Sequence, residues 1–191
     1  MALWLVRAGR QGQLEHSFLD DERIYLNWGG INADLSQFKS REEVKDLLRA
    51  RLPDAADGKI VNGAGQIWAF VSKMQTGDWV VLPSKMKPAI HVGEIVGGYK
   101  FEPSANRPGQ FRKVQWIETD IPRSNFDQEL LYSFGAFMTV CQISRNDVEA
   151  RVRADDLIDE LLRLYGELDE DIRAEIPLKR TWALTLTDSE D

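Results

Sequence analysis

The stretch Gly77-Asp-Trp-Val-Val-Leu-Pro-Ser-Lys-Met-Lys-Pro-Ala-Ile-His-Val-Gly-Glu-Ile-Val96 decides the fold. Two apolar runs, Trp79 to Leu82 and Ala89 to Val96, flank the turn-forming Pro83-Ser-Lys-Met-Lys-Pro88. β-Branched residues pack well on a pleated surface, and the two prolines cannot continue a helix, so the reading is strand, turn, strand.

Toward the C-terminus, Gly97-Gly98 separates this pair from a short strand, Tyr99-Lys-Phe101, and Pro103 to Gly109 reads as a loop. Phe111 to Glu118 is a further strand with Val114 and Trp116 on one face, and Ser124 caps a short helix reaching Tyr132. The turn Ser133-Phe-Gly-Ala136 leads into a last strand, Phe137 to Ile143. Toward the N-terminus, Ile60, Ala64, Ile67, Trp68, Val71 and Met74 form a helical stripe. Ser40 and Glu43 have capping-box spacing ahead of Val44, Leu47 and Leu48, and Pro53 stops that helix. Arg23 to Asn27 is a strand broken by Trp28-Gly29-Gly30, Leu14, Phe18 and Leu19 fit a short helix, and Ala2 to Arg7 is a first strand. Six or seven short strands, with helices bunched between the second and third, predict an α+β domain: a small β-barrel with helices packed around it.

Beyond residue 145 the texture changes. Val148, Val152, Leu157, Leu161, Leu164, Leu168 and Ile172 keep a helical spacing through an acidic stretch. The expected division is therefore a domain over 1–145 and an acidic, mostly helical segment over 146–191. The net charge of −7 follows this division. Residues 1–145 carry 18 Lys and Arg against 17 Asp and Glu, and residues 146–191 carry 6 against 14. A body near neutrality is free to present a local basic face to nucleic acid, which the overall charge conceals.

Several chemistries find no support. No run approaches the roughly 18 apolar residues of a membrane span, and Met1 to Arg7 lacks the charged start and cleavage site of a signal peptide. A single cysteine allows no internal disulfide, so a reducing cytoplasm is expected. Cys141, between Val140 and Ile143 and far in sequence from either histidine, reads as a core residue. Ser36-Gln-Phe-Lys39 has the Ser-x-x-Lys spacing without its companion motifs. Glu43-Val-Lys45 has the Glu-x-Lys spacing of a metal-dependent nuclease, but on a helix residues two apart diverge by roughly 200°. No catalytic residue, metal ligand or cofactor is assigned.

The informative constellation is aromatic, small and polar. Trp28 follows a strand and precedes Gly29 and Gly30, which allow a ligand close to the backbone. Phe134-Gly-Ala-Phe137 repeats the arrangement, Ser84 places a hydroxyl at a strand end, and Trp68 borders Asn62 and Gln66 on a helix edge. Such a set either caps the core or stacks on a flipped base and bonds its edge. Arg7, Arg10, Lys85, Lys87, Arg107, Arg112, Lys113 and Arg123 are candidate phosphate contacts.

Trp4-Leu-Val-Arg-Ala-Gly9, Leu26-Asn-Trp-Gly29, Asn62-Gly-Ala-Gly-Gln66, Gly77 to Ser84 and the long run Phe126 to Val140 together resemble one known domain. It is the N-terminal domain of Mrr-like restriction endonucleases, an EVE-like member of the PUA superfamily, and the resemblance spans about residues 2–152. Ala154 to Leu162 and Asp171 to Leu184 resemble the C-terminal end of the same enzymes, whereas their nuclease core has no counterpart here. The resemblance implies a modification-dependent, type IV restriction lineage, in which a methylated or hydroxymethylated base is flipped into an aromatic pocket. By this comparison Trp28 takes the place of the stacking aromatic, Ser84 lies near the turn between the third and fourth strands, and Asn62 lies near the helix bordering the pocket. The implied pocket is Trp28, Gly29, Asn62, Trp68, Ser84 and Phe134, with Arg7, Arg10, Lys85, Lys87, Arg112 and Arg123 on phosphates. The expected partners are modified DNA and, through the tail, a second copy or a full-length nuclease homologue, with no membrane. A nuclease subunit completed by another chain, or a protein-interaction module, is the alternative.

Overall fold

The structure is a computed structural model and describes residues 2–143, apart from Gly29, Asn32, Ala105 and Asp127. The expected domain boundary at 145/146 and the acidic helical segment lie outside the described residues. The elements in order are β1 (Leu3–Val6), α1 (Glu15–Asp20), β2 (Arg23–Tyr25), α2 (Arg41–Arg51), α3 (Asp57–Trp68), β3 (Trp79–Pro83), β4 (Ala89–Ile95), β5 (Lys100–Phe101), β6 (Gln110–Pro122), α4 (Gln128–Phe134) and β7 (Val140–Ile143). The chain is thus mixed α+β, as the spacing of its apolar runs predicts.

The strands form one sheet in the order β2-β6-β4-β3-β1-β7, with β5 also paired to β6. β1 runs parallel to β3, and the other pairs are antiparallel. A parallel neighbour requires a crossover, and the segment containing α1, β2, α2 and α3 supplies it, which is why the helices fall between β1 and β3.

The sheet curls into a half-barrel rather than the expected small barrel. Its curvature comes from β6, thirteen residues long, which pairs with β2 and β5 through its first residues and with β4 through the rest. Register shifts on β4 at Ile90/Val92 and Val92/Gly93 bend the ladder. Gly93 permits the close approach: a Cβ there would lie 2.6 Å from Val114 Cγ1 and 2.9 Å from Trp116 Cε3.

The main core joins Trp4, Val6, Val80 and Leu82 of the sheet to Phe18, Val44, Leu48, Ile60, Ala64, Ile67 and Phe70 of the helical segments. Leu3, Leu5 and Val81, which alternate with these along the strands, are equally buried on the other face. The sequence of β3 therefore reads as an unbroken apolar run rather than an alternating one.

Local detail refines three expectations. Ser40 caps α2 by accepting from the Glu43 amide at 3.3 Å, while Glu43 Oε2 accepts from the Lys39 amide, one residue before the cap. The stripe expected to Met74 leaves α-geometry after Trp68 for a π-helical turn, Ala69–Lys73. Buried Arg112 supplies the partners that wider turn needs, donating from Nε to Phe70 O at 2.7 Å and from Nη2 to Val71 O at 3.0 Å. Ser124 lies in a 3₁₀ turn, Arg123–Asn125, that precedes α4, so the capped helix expected there starts later.

Candidate functional site: the Trp28 cleft

β2 ends at Tyr25, and the chain then crosses an irregular segment that precedes α2. That segment is held from beneath. Gln110 Nε2 donates to Ile31 O at 2.7 Å and to Ala33 O at 3.0 Å, and the Tyr99 hydroxyl accepts from the Leu35 amide at 3.0 Å. Burial pushes the Tyr99 phenol up to about 12, so it stays neutral across the physiological range.

Opposite this segment lies the loop between β5 and β6, and a cleft of about 320 Å³ opens between the two. Its walls include Leu26, Asn27, Trp28 and Ile31 on one side and Ser104, Asn106, Arg107 and Pro108 on the other, with Leu14 at the margin. Trp28 is half-buried and packs against the core. Its ring lies directly on α3 at Gly63, where a Cβ would overlap Cη2 and Cζ2. The glycine thus makes the seat for the indole, and the loop holds it at the cleft wall.

Arg107 is held in the opposite wall. Its Nη1 donates to Asp21 Oδ2 at 2.6 Å, the Tyr25 hydroxyl donates to the same oxygen, and the guanidinium stands 5.7 Å from the Tyr25 ring centroid. The Tyr25 hydroxyl holds the Asp21 carboxyl below the usual carboxylate range; burial opposes this, and Arg107 adds to the lowering. Tyr25 itself is pushed up to about 12, by burial first and then by Asp21. The cleft therefore combines an indole, an oriented cation and exposed amide side chains, an apolar ring with polar groups around it.

Of the expected pocket residues, Trp28 lines this cleft; Gly29 lies outside the described residues. Asn62 is exposed on α3, where its Oδ1 accepts from Gln66 Nε2 at 2.9 Å, and Trp68 packs against the core, so neither borders the cleft. Ser84 and Phe134 are interior. Phe134 is 3% exposed and stacks edge-on against Phe126 with ring centroids 5.4 Å apart. Ser84 donates to Glu15 Oε1 at 2.7 Å and accepts from the Met86 and Lys87 amides. The same Glu15 oxygen lies 3.3 Å from His91 Nε2, and His91 Nδ1 accepts from the Asp120 amide at 3.1 Å. With Nδ1 an acceptor, the ring proton sits on Nε2 and is donated to Glu15. The serine faces the carboxylate rather than the imidazole, so these residues tie α1 to the sheet and do not form a nucleophilic relay.

The expected phosphate contacts divide as well. Arg112 is buried, donates to Phe70 O, Val71 O and Gly97 O, and burial brings its pKa down to about 10. It serves the interior rather than a phosphate. Arg7 is half-buried and donates to Ala136 O and Phe134 O, while Lys87 pairs with Asp120. Arg10, Lys85 and Arg123 are exposed. Lys45 pairs with Glu42 at 2.7 Å and Glu43 turns back to the Lys39 amide, so the Glu-x-Lys pair diverges as helical geometry requires. Among the described residues no cluster of His, Cys, Asp and Glu is arranged to hold a metal ion. Cys141 is half-buried, and burial pushes its thiol up while Arg7 opposes the shift. No helix among them is long and apolar enough to cross a membrane.

Sequence reading did not single out Asn27, Ser104 or Asn106 for the cleft. The available signal was the Pro103 to Gly109 loop with Arg107 inside it, but nothing in the sequence places that loop opposite Trp28.

A family model, DUF8426, a domain of unknown function, matches residues 4–143. The chain belongs to the DUF8426 family. The matched residues contain every element of the half-barrel except the first residue of β1, together with the whole cleft, so the cleft is part of the DUF8426 domain. No curated protein matches the chain.

Proposed function

We propose that this DUF8426 domain is a nucleic-acid reader that seats a modified DNA base in the Trp28 cleft, with no nuclease site of its own. The observation that carries the reading is Trp28: a half-buried indole, seated on Gly63, at the wall of a cleft of about 320 Å³. That volume is at the small end of the roughly 300–1,000 Å³ found for small-molecule sites, and suits one substituted heterocycle. In this reading the extruded base stacks on Trp28, the side chains of Asn27 and Asn106 bond its polar edge, and Arg107 faces the flanking phosphate. Phosphate contacts hold the strand and the cleft discriminates.

The curled sheet with helices between β1 and β3 is compatible with an EVE-like member of the PUA superfamily, and the residues quoted above support a place in the Mrr-like restriction lineage. A cytoplasmic role in defence against foreign or modified DNA belongs to the same proposal.

The test is fluorescence-anisotropy binding to matched duplexes carrying cytosine, 5-methylcytosine, 5-hydroxymethylcytosine or N6-methyladenine, at fixed salt and without metal. One buried methyl contributes about 0.8 kcal/mol, so a preference of about fourfold or more for one modified duplex is expected. Trp28→Ala removes the preference while circular dichroism stays unchanged. Equal affinity for all four duplexes overturns the reading.

A further inference from the structure

We propose that a second surface, around Phe137, binds the nucleic-acid strand next to the cleft, stacking one base on Phe137 and holding flanking phosphates with Arg10, Lys85 and Arg123. This rests on the nucleic-acid reading above and adds to it a strand-binding surface that does not read the modification.

Phe137 is wholly exposed and Tyr132 is 78% exposed, the former in the turn after α4 and the latter on α4 itself. Together with the exposed Met138 they are apolar side chains close in sequence, and exposed apolar residues that gather in a patch, unlike single ones, mark binding surfaces. The Phe137 turn is also fixed: Arg7 spans it, donating from Nε to Ala136 O at 2.9 Å and from Nη2 to Phe134 O at 3.2 Å. A ring presented on a pinned turn loses little further freedom on binding.

Contacts link this turn to three others. The Arg123 turn packs beneath it: Arg123 O accepts from the Phe126 amide at 3.2 Å, and the Phe126 ring meets Phe134 edge-on with centroids 5.4 Å apart. Arg123 Nη2 donates to Ser84 O at 3.2 Å, which brings in the β3–β4 turn carrying Lys85 and the exposed Met86. A Cβ on Gly12 would lie 2.9 Å from Lys85 Cβ, which adds the β1–α1 loop carrying Arg10. Leu14, two residues beyond Gly12, lines the cleft. These contacts join the segments that carry Phe137, Arg123, Lys85 and Arg10, and the last of them also carries Leu14.

Its charge favours a polyanion over an apolar protein partner. Arg10, Lys85 and Arg123 form no ion pair with any described residue. The nearby carboxylates are committed: Glu15 is buried against Ser84 and His91, and Asp120 pairs with Lys87. Glu129 on α4 is exposed as well. An aromatic face among cations that no described carboxylate pairs is the arrangement that tracks a strand, since each base offers a π-face and each phosphate a charge.

The experiment measures binding of the full 191-residue chain to an unmodified 12-nucleotide oligothymidylate, by anisotropy without metal over a salt series. Stacking contributes about 1–3 kcal/mol per base, so Phe137→Ala weakens binding by about tenfold. The double variant Arg10→Ala/Lys85→Ala lowers the slope of log K against log salt by about 1.4, at about 0.7 per phosphate. Phe137 is wholly exposed, so its variant keeps the wild-type circular dichroism and melting temperature. Unchanged strand binding in Phe137→Ala overturns the proposal, and so does a change confined to particle mass by light scattering, which assigns the surface to a second copy. If the wild-type chain discriminates modified duplexes through Trp28 while Phe137 is indifferent, this inference alone fails. Strand binding through Phe137 without discrimination among duplexes fails the cleft reading alone.

Discussion

The β3–β4 turn and the Trp28 cleft are both built from loops around the half-barrel, yet they use polar residues in opposite ways. At the turn, Ser84, Glu15, His91 and the Asp120 amide bond to one another in the interior. At the cleft, Asn27, Ser104 and Asn106 border open space, and the one strong polar group, Arg107, is oriented by Asp21 and Tyr25 beside it. The first cluster spends its hydrogen bonds on holding α1 against the sheet. The second spends fewer: the Ser104 hydroxyl accepts from the Asn106 amide and Arg107 donates to Asp21, while the exposed Asn27 and Asn106 side chains face the cleft. A hydroxyl beside a lysine at a strand end, as in Ser84-Lys85, is thus no guide to which of the two it belongs to.

The contrast is broken most severely at Glu15. Glu15→Ala leaves the Ser84 hydroxyl and His91 Nε2 buried without an acceptor, at about 1–3 kcal/mol for each unsatisfied group. A loss of about 3 kcal/mol is expected in urea denaturation, with the duplex preference of the surviving folded protein unchanged. A stability within 0.5 kcal/mol of wild type, a difference typical of substitutions at exposed positions, would show that the network does not hold the fold.

Gly63→Ala sharpens the comparison from the cleft side. The new methyl needs the space taken by the half-buried Trp28 ring, which has to shift. Displacement costs about 1–3 kcal/mol, and alanine returns up to about 1 kcal/mol of helix propensity, so stability falls only modestly. Base discrimination is lost, and tryptophan emission shifts red. Retained discrimination would show that the seat on α3 is dispensable.

The smallest effect is at Glu118. Burial, and then the charge of Asp120, raise its pKa above the ordinary value. An acid with a raised folded-state pKa binds its proton more tightly when folded, so stability falls as pH rises from the unfolded pKa through the folded one. Glu118→Gln therefore stabilises slightly at neutral pH, by a few tenths of a kcal/mol after solvent screening, and not below about pH 4. Thermal melts at the two pH values check this; equal melting temperatures for variant and wild type at neutral pH would contradict it.

Most secondary structure was legible because it follows from short-range pattern. The apolar runs around Pro83 to Pro88 became β3 and β4, Ser40 did cap α2, and the helices did fall between β2 and β3 in the chain. The half-barrel was not legible, because its curl depends on how β6 slips against β4 around Gly93, a property of two strands together. Phe134 and Ser84 stood at turns, where the pattern left capping the core and facing a ligand both open. Phe126 and Glu15 bury them, and neither contact has a local signal.

The site divides the same way. Trp28 followed by two glycines announced an aromatic at a break in the chain, and the structure places it at a cleft wall. The opposite wall comes from residues about eighty positions later, brought there by the pairing of β2 with β6, in which Tyr25 faces Phe111. The sequence by itself determined the α+β class, the element order and an aromatic at the break after β2, because periodicity and turn chemistry are local. Only the tertiary structure decided which polar residues were buried and which lined the cleft, because burial and apposition depend on partners far along the chain.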